Sequence, residues 1–123
     1  MSAPATEDGT RGDTATLFHL AAHEDWYADA AGTTYVPAAF ASEGFVHCSY
    51  RHQLAGVYAR YYEGRTDLVV LELDRAGLEA LVGAAAVRDE ASPTTGERFP
   101  HVYAPLPRAA VRAEHDVVVI RSW

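Results

Sequence analysis

The sequence contains no lysine, and its ten basic residues are all arginines. Asp and Glu together number 17, which gives a formal net charge of −7 at pH 7. A nucleic-acid interface needs a basic patch or stripe, so this acidic balance argues against RNA or DNA as a partner. A small ligand that carries phosphate remains compatible, because a few arginines, with Arg98 as a candidate, are enough to bind one.

Cysteine and long apolar runs are also scarce. The single cysteine, Cys48, cannot form an internal disulfide, so an oxidising compartment is not required. No apolar run approaches the ~18–20 residues of a membrane-spanning helix, and the N-terminus carries no apolar signal segment. We therefore expect a cytoplasmic protein without a membrane partner.

The chain has 123 residues, 49% of them hydrophobic, which suits one globular domain. Residues 1–15 are mostly small and polar and are predicted to form a disordered N-terminal tail, leaving residues 16–123 as the domain. Hydrophobic patterning predicts strands at 16–20, 45–49, 67–74, 85–88 and 99–103, an extended segment at 33–36, and a last strand within 109–123 that is centred on 117–120. It predicts helices at 23–31, 38–42, 50–63 and 75–82, and a loop at 89–97. Strands outnumber helices, which indicates a single α+β domain with mixed or antiparallel pairing.

Two of the predicted helices have clear end signals. Ser49 is a good N-cap for the helix at 50–63, and Asp74 for the helix at 75–82. In the helix at 23–31, an apolar stripe is formed by Trp26, Tyr27 and Ala30.

The short strand at 45–49 is the most informative element. Gly44 provides a permissive backbone just before it. Because side chains alternate along a strand, one face carries an aromatic ring, an imidazole and a hydroxyl, from Phe45, His47 and Ser49. The other face carries Val46 and Cys48. A strand that only packs in the core would not need two polar side chains on the same face.

Two further histidines, His19 and His101, lie on other predicted strands and are expected to reach the same face as His47. Each has a simpler interpretation, because a lone histidine in an apolar strand usually bonds to backbone. Ser49 could likewise serve only as a helix cap. A histidine-rich metal site is an alternative, but His47 and Cys48 point in opposite directions and no metal-binding motif is present, so no metal is expected.

The remaining set comprises imidazoles, a serine hydroxyl, a tyrosine and carboxylates near Glu90. Such groups suit a ribose or a nucleotide held by its hydroxyls. A Cys48 nucleophile fits poorly, because a reactive thiolate needs a partly exposed, electropositive site.

Three segments resemble the bacterial DUF952 family, a family of unknown function. They are Leu-Phe-His at 17–19 followed by Trp26, Glu-Gly-Phe-Val-His-Cys-Ser at 43–49, and Phe-Pro-His-Val-Tyr at 99–103 followed by Ala-Pro-Leu. Ala104 stands where the family usually has glycine, and the loop at 89–97 differs from the family's more compact link. That family in turn resembles the ADP-ribosyltransferase fold, within its RNA 2′-phosphotransferase-like branch, which implies a split sheet with short helices.

The resemblance also implies roles. His19 would hold a ribose hydroxyl of the ligand, and His47 would lie against the nicotinamide or a ribose. Glu90 is the candidate for the third catalytic position, with His101 or Tyr103 as alternatives. The residues expected to contact the ligand are Ser49, Tyr35, Trp26, Arg98, His101 and Tyr103.

The implied substrate is NAD, which would lose nicotinamide through an oxocarbenium-like transition state at the ribose C1′, by transfer or by hydrolysis. The alternative is a non-catalytic nucleotide- or small-metabolite-binding accessory protein of the same fold. A carboxylate that reaches the face of His19 and His47 would favour the enzyme.

Overall fold

The structure is a computed structural model that describes residues 13–28 and 31–123. The predicted tail therefore lies mostly outside the described residues. At its end, the carbonyl of Ala15 accepts a hydrogen bond from the backbone amide of Arg75 at 2.8 Å. Across the described ranges, no helix is long and apolar enough to cross a membrane.

The described residues form a small single-domain α+β fold. Its strands are β1 (Thr16–Ala22), β2 (Thr34–Tyr35), β3 (Val46–His47), β4 (Leu68–Asp74), β5 (Val87–Ala91), β6 (Arg98–Val102), β7 (Leu106–Pro107) and β8 (Val111–Asp116). Its α-helices are α1 (His23–Ala28), α2 (Phe40–Glu43), α3 (Leu54–Val57) and α4 (Arg75–Val82). Short 3-10 segments cover Arg51–Gln53, Ala84–Ala86, Arg108–Ala110 and Val117–Ser122, and Tyr58–Tyr62 is a π-helical turn.

The strands form two three-stranded sheets, in the orders β1-β4-β8 and β3-β6-β5, and a small β2-β7 ladder. All of these pairs are antiparallel, which confirms the expected pairing. The two larger sheets meet where Phe18 and Ser49 exchange backbone hydrogen bonds of 2.8 Å in both directions. This bridge places β1 beside the end of β3.

Strand β4 is buried on both faces, as its continuous apolar run predicts. Val69, Leu71 and Leu73 pack into one hydrophobic cluster, and Leu68 and Val70 pack into the other. The strand ends at Asp74, whose side chain accepts a hydrogen bond from the amide of Gly77 and caps α4, as expected.

A last strand lies within 109–123 as predicted, but its predicted centre at 117–120 is wrong. The last strand is β8, whose side chains alternate between half-buried and exposed, and a 3-10 helix follows from Val117 to Ser122. Val117 and Ile120 are both buried because residues three apart share one side of a 3-10 helix. The Asp116 side chain accepts a hydrogen bond from the Val118 amide and begins this helix.

The strand at 85–88 and the loop at 89–97 are misplaced. Residues 84–86 form a 3-10 turn, and β5 continues through Asp89 and Glu90 to Ala91, paired with β6. The polar sequence at 89–90 resembles a loop, but pairing with β6 holds it extended. The turn is thereby shortened, and Glu90 becomes a strand residue.

The helix predicted at 50–63 is broken into 3-10, α and π segments. Ser49 is not its N-cap: it lies one residue before the cap position and exchanges backbone hydrogen bonds with Phe18. Instead, Tyr50 occupies the cap position, and its amide donates to the Gln53 side chain at 2.9 Å.

In α1, Trp26 is buried as expected, but Tyr27 is exposed and hydrogen-bonds to Glu114. The predicted stripe is therefore reduced to Trp26 within the described part of this helix. Ala30 lies outside the described residues.

Candidate functional site

A cleft of about 570 Å³ opens at the junction of the two larger sheets. Phe45, His47 and Ser49 all line it, while Val46 and Cys48 are fully buried on the opposite side of the same segment. The predicted assignment of side chains to the two faces is therefore correct. The volume of the cleft lies within the ordinary range for small-molecule sites, roughly 300–1,000 Å³.

The cleft brings together three histidines from three strands. His19 comes from β1, His47 from β3 and His101 from β6, and all three line the cleft. The imidazole rings of His47 and His101 are 5.4 Å apart between centroids. We call this site the three-histidine cleft. Its walls are largely aromatic, with contributions from Tyr35, Phe45, Tyr61, Tyr62 and Phe99.

His19 is buried, and its Nδ1 donates a hydrogen bond to the carbonyl oxygen of His47 at 2.7 Å. Burial lowers the pKa of His19 to about 4, although the bond to the carbonyl opposes this shift. The ring is therefore neutral at pH 7, with its proton on Nδ1, and Nε2 is an acceptor. The Tyr35 hydroxyl lies 3.4 Å from Nε2. His19 thus bonds to backbone, as the simpler interpretation had it, and also lines the cleft.

His47 is also neutral at pH 7. Burial lowers its pKa to about 4, with smaller contributions from the neighbouring His101 and His19. Its Nε2 atom is buried and has no hydrogen-bond partner among the described residues. An unpaired buried polar atom costs about 1–3 kcal/mol, so this atom is a natural contact for a bound polar group.

His101 connects the cleft to Glu90. Its Nδ1 is 2.8 Å from Oε1 of Glu90, and the Tyr103 hydroxyl donates to the same oxygen at 2.6 Å. These bonds, from Tyr103 first and then from His101, hold the pKa of the Glu90 carboxyl below its usual value. Phe45 stacks on the His101 ring with centroids 3.9 Å apart and planes 12° apart.

Four of the proposed site residues are not among the described residues that line the cleft: Trp26, Glu90, Arg98 and Tyr103. Trp26 is buried beside Tyr35, with ring centroids 5.4 Å apart. The Arg98 guanidinium donates to the carbonyl of Asp89 at 2.9 Å. Glu90 and Tyr103 contact residues of the cleft without lining it themselves. Glu90 is hydrogen-bonded to His101 and Tyr103, and the Tyr103 ring packs against Phe45.

The sequence interpretation missed the charged residues of the cleft, Asp25, Glu43 and Arg65. Arg65 makes two hydrogen bonds to Asp67, at 2.8 and 2.6 Å. Glu43 stands in the motif at 43–49, and its position beside Phe45 could have drawn attention to it. Asp25 and Arg65 gave no comparable signal, because loop and helix-end positions depend on the path of the folded chain.

Neither metal binding nor thiol chemistry fits the described residues. No group of three or more His, Cys, Asp or Glu side chains within them is arranged to hold a metal ion. Cys48 is fully buried, and burial raises the pKa of its thiol to about 12. A thiol that stays protonated is a poor ligand and a poor nucleophile.

The fold and the site together define a small antiparallel α+β domain with a three-histidine cleft. The chain belongs to the DUF952 family, described as a protein of unknown function, whose model matches residues 20–114. The resemblance seen in the three sequence segments is thereby confirmed. No protein with a curated description matched the chain.

Solved structures of protein CC0527 from Caulobacter crescentus are similar to this chain. Its crystal structure shares 28% sequence identity with a TM-score of 0.71 and covers 82% of this chain and 84% of that chain. Its solution NMR structure shares 29% identity with a TM-score of 0.69 and covers 84% of both chains.

Proposed function

We propose that the three-histidine cleft binds NAD or a related ADP-ribosyl ligand, and that the domain acts at the ribose C1′ by transfer or hydrolysis. The observation that carries this proposal is the convergence of His19, His47 and His101 with Ser49 on one cleft. A ribose presents several hydroxyls at close spacing, and uncharged imidazole and hydroxyl groups match them as donors and acceptors.

The aromatic walls support the same ligand class. Tyr61 is 62% exposed at the cleft, and Phe45 and Phe99 form part of its lining. Flat, apolar side chains of this kind stack on a nicotinamide or adenine ring without requiring charge. Arg65 is the arginine among the described cleft residues; it is paired with Asp67 and would have to share its charge with a bound phosphate.

We also propose that the fold is of the ADP-ribosyltransferase type. Two observations support this proposal. The sheet is split into two antiparallel parts, and the first two motif histidines, His19 and His47, lie on β1 and β3 where those parts join. The resemblance in the sequence motifs implies one strand that carries the first histidine and, after a helix, a second strand that carries the other.

In the proposed reaction, the bond between C1′ and the nicotinamide nitrogen breaks, and its electron pair stays on the nicotinamide. Positive charge develops at C1′, and water or an acceptor hydroxyl then bonds to that carbon. The carboxylates of Asp25 and Glu43 line the cleft and could stabilise this charge electrostatically.

The non-catalytic alternative also has a specific observation in its favour. Glu90, the expected catalytic carboxylate, accepts hydrogen bonds from His101 and Tyr103 and is absent from the described lining of the cleft. A protein that only binds a nucleotide needs no carboxylate at C1′.

The test is calorimetric titration of NAD and of ADP-ribose into the wild type, His47→Ala and His52→Ala. His47 presents an unpaired Nε2 at the cleft, whereas His52 is an exposed histidine outside the described lining and serves as the matched control. We expect binding to the wild type and to His52→Ala, with binding strongly weakened in His47→Ala.

Release of nicotinamide from NAD then separates the enzyme from the binding protein. Binding without release supports the non-catalytic alternative. No heat from either ligand at millimolar concentration, with a folded protein, rejects the proposed ligand class.

A further inference from the structure

We infer that Glu90 serves the cleft through His101: it holds the imidazole so that Nε2 acts as the general base for the group that attacks C1′. This inference rests on the proposed function and assigns the base of its reaction. His101 is the catalytic residue in this scheme, and Glu90 is a positioning residue.

The backbone brings the two side chains together. In the β5–β6 ladder, Glu90 is opposite Phe99, and Arg88 is opposite His101. Glu90 and His101 are therefore diagonal neighbours on adjacent strands, within reach of long side chains. Nδ1 of His101 and Oε1 of Glu90 are 2.8 Å apart. Tyr103 donates to the same Glu90 oxygen at 2.6 Å, which fixes the carboxylate.

The hydrogen bond also selects the tautomer of His101. An ionised carboxylate can only accept hydrogen bonds, so the proton of a neutral His101 lies on Nδ1. The lone pair then lies on Nε2. Among the described residues, Nδ1 is the ring nitrogen of His101 that is hydrogen-bonded, which leaves Nε2 for a ligand. His101 lines the cleft whereas Glu90 does not, so the ring extends from the carboxylate toward the cleft.

The surroundings hold this ring and set its charge environment. Phe45 stacks on it at 3.9 Å, and His47 lies 5.4 Å away. The titratable and charged groups that face His101 are Glu90 and Arg88 from β5, His47 from β3, and Tyr103 beyond the end of β6. The Arg88 guanidinium lies 4.4 Å from the ring centroid of Tyr103 and donates to the carbonyl of Ala85.

The chemical step balances with water or an acceptor hydroxyl as the nucleophile. Nε2 of His101 accepts a proton from water or an acceptor hydroxyl as its oxygen bonds to C1′. The bond from C1′ to nicotinamide breaks, and the electron pair leaves with the nicotinamide nitrogen. His101 then releases the proton to solvent. A well-placed general base typically contributes about 10²–10⁴-fold to rate.

The experiment has a spectroscopic and a kinetic part. Nitrogen-15 NMR of the wild type should show neutral His101 protonated on Nδ1 and not on Nε2. Glu90→Gln should shift this tautomer equilibrium toward Nε2, because the amide can also donate to Nδ1. The matched control is Glu72→Gln, which alters a second His–Glu pair, between His115 and Glu72 at 2.8 Å, outside the described cleft.

For the kinetic part, His101→Asn should lower kcat for nicotinamide release about 10²–10⁴-fold. Because His101 also lines the binding cleft, ADP-ribose affinity should fall too, but by a smaller factor than kcat. Glu90→Gln should lower kcat by a smaller factor, and Glu72→Gln should leave it unchanged. Wild-type His101 protonated on Nε2, or an unchanged kcat in His101→Asn, overturns the assignment of the base. Absence of ADP-ribose binding in the calorimeter instead rejects the proposed function, so the two failures are distinguishable.

Discussion

Acid should destabilise this protein through His19, and replacing His19 with glutamine should remove that part of the pH dependence. His19 is 7% exposed, and burial lowers its pKa from 6.5 to about 4. Between these two values the unfolded chain binds a proton at this position and the folded protein does not. The free energy of unfolding must therefore fall as the pH falls through this range.

The magnitude follows from the two pKa values. With a pKa of 6.5 in the unfolded chain and about 4 in the folded protein, the proton linkage at His19 costs about 0.2 kcal/mol at pH 7 and about 2 kcal/mol at pH 5. The wild type should thus lose about 2 kcal/mol more than His19→Gln between these pH values. Below the folded pKa the effect levels off, because both states then bind the proton.

Urea denaturation at pH 7, 6 and 5 gives the required free energies of unfolding for both proteins. The comparison uses only changes with pH, so any constant cost of placing glutamine at this position cancels. His52→Gln, at an exposed position, controls for loss of an imidazole as such. If wild type and His19→Gln lose stability in parallel from pH 7 to pH 5, the buried neutral state of His19 is refuted.

Three further predictions concern the fold around the cleft. Leu71→Ala, at a fully buried position in β4, should lower the free energy of unfolding by about 2–5 kcal/mol in urea denaturation. The control Leu81→Ala, at a 56% exposed position, should lower it by under about 1 kcal/mol, and equal losses in the two variants would contradict the burial of β4. Asp74→Ala should cost about 1 kcal/mol by the same measurement, since it removes the bond to the Gly77 amide, and an unchanged midpoint would exclude this cap. Cys48 should stay unmodified by a thiol reagent at pH 8 until the protein unfolds, because its thiol is fully buried and burial raises its pKa to about 12; rapid labelling under native conditions would disprove this burial.

The alternation rule predicted the central part of the site from sequence. In the segment at 45–49, a period of two places Phe45, His47 and Ser49 on one face, and the structure shows the same side chains at the cleft. This prediction worked because side-chain direction in a strand depends only on local geometry, even where the regular strand is as short as Val46–His47.

The errors occurred where tertiary pairing decides local structure. Asp89 and Glu90 are polar and were assigned to a loop, but β6 holds them in β5. Ser49 was assigned as a helix cap, but its backbone is bonded to Phe18. In both places pairing with another strand decides the structure, so the propensity of the segment itself could not indicate it.

The role of Glu90 changed for the same reason. A loop residue at 90 could have been oriented toward the cleft, whereas a strand residue at 90 has a fixed direction. That direction aims the carboxylate at His101, which is two positions beyond its directly opposite residue, Phe99. The pairing of β5 with β6 therefore explains both why residue 90 is not in a loop and why Glu90 is proposed to act through His101.

The uncharged state of His19 and His47 is also a property of the fold. The bridge between Phe18 and Ser49 sets β1 beside β3, so that His19 can donate to the carbonyl of His47. Both rings are then enclosed, and burial lowers both pKa values to about 4. Two neutral imidazoles beside aromatic side chains are suited to hydrogen bonding and stacking. In the proposed reaction, charge must therefore come from the other lining residues Asp25, Glu43 and Arg65, or arise transiently on His101, where Glu90 can stabilise it.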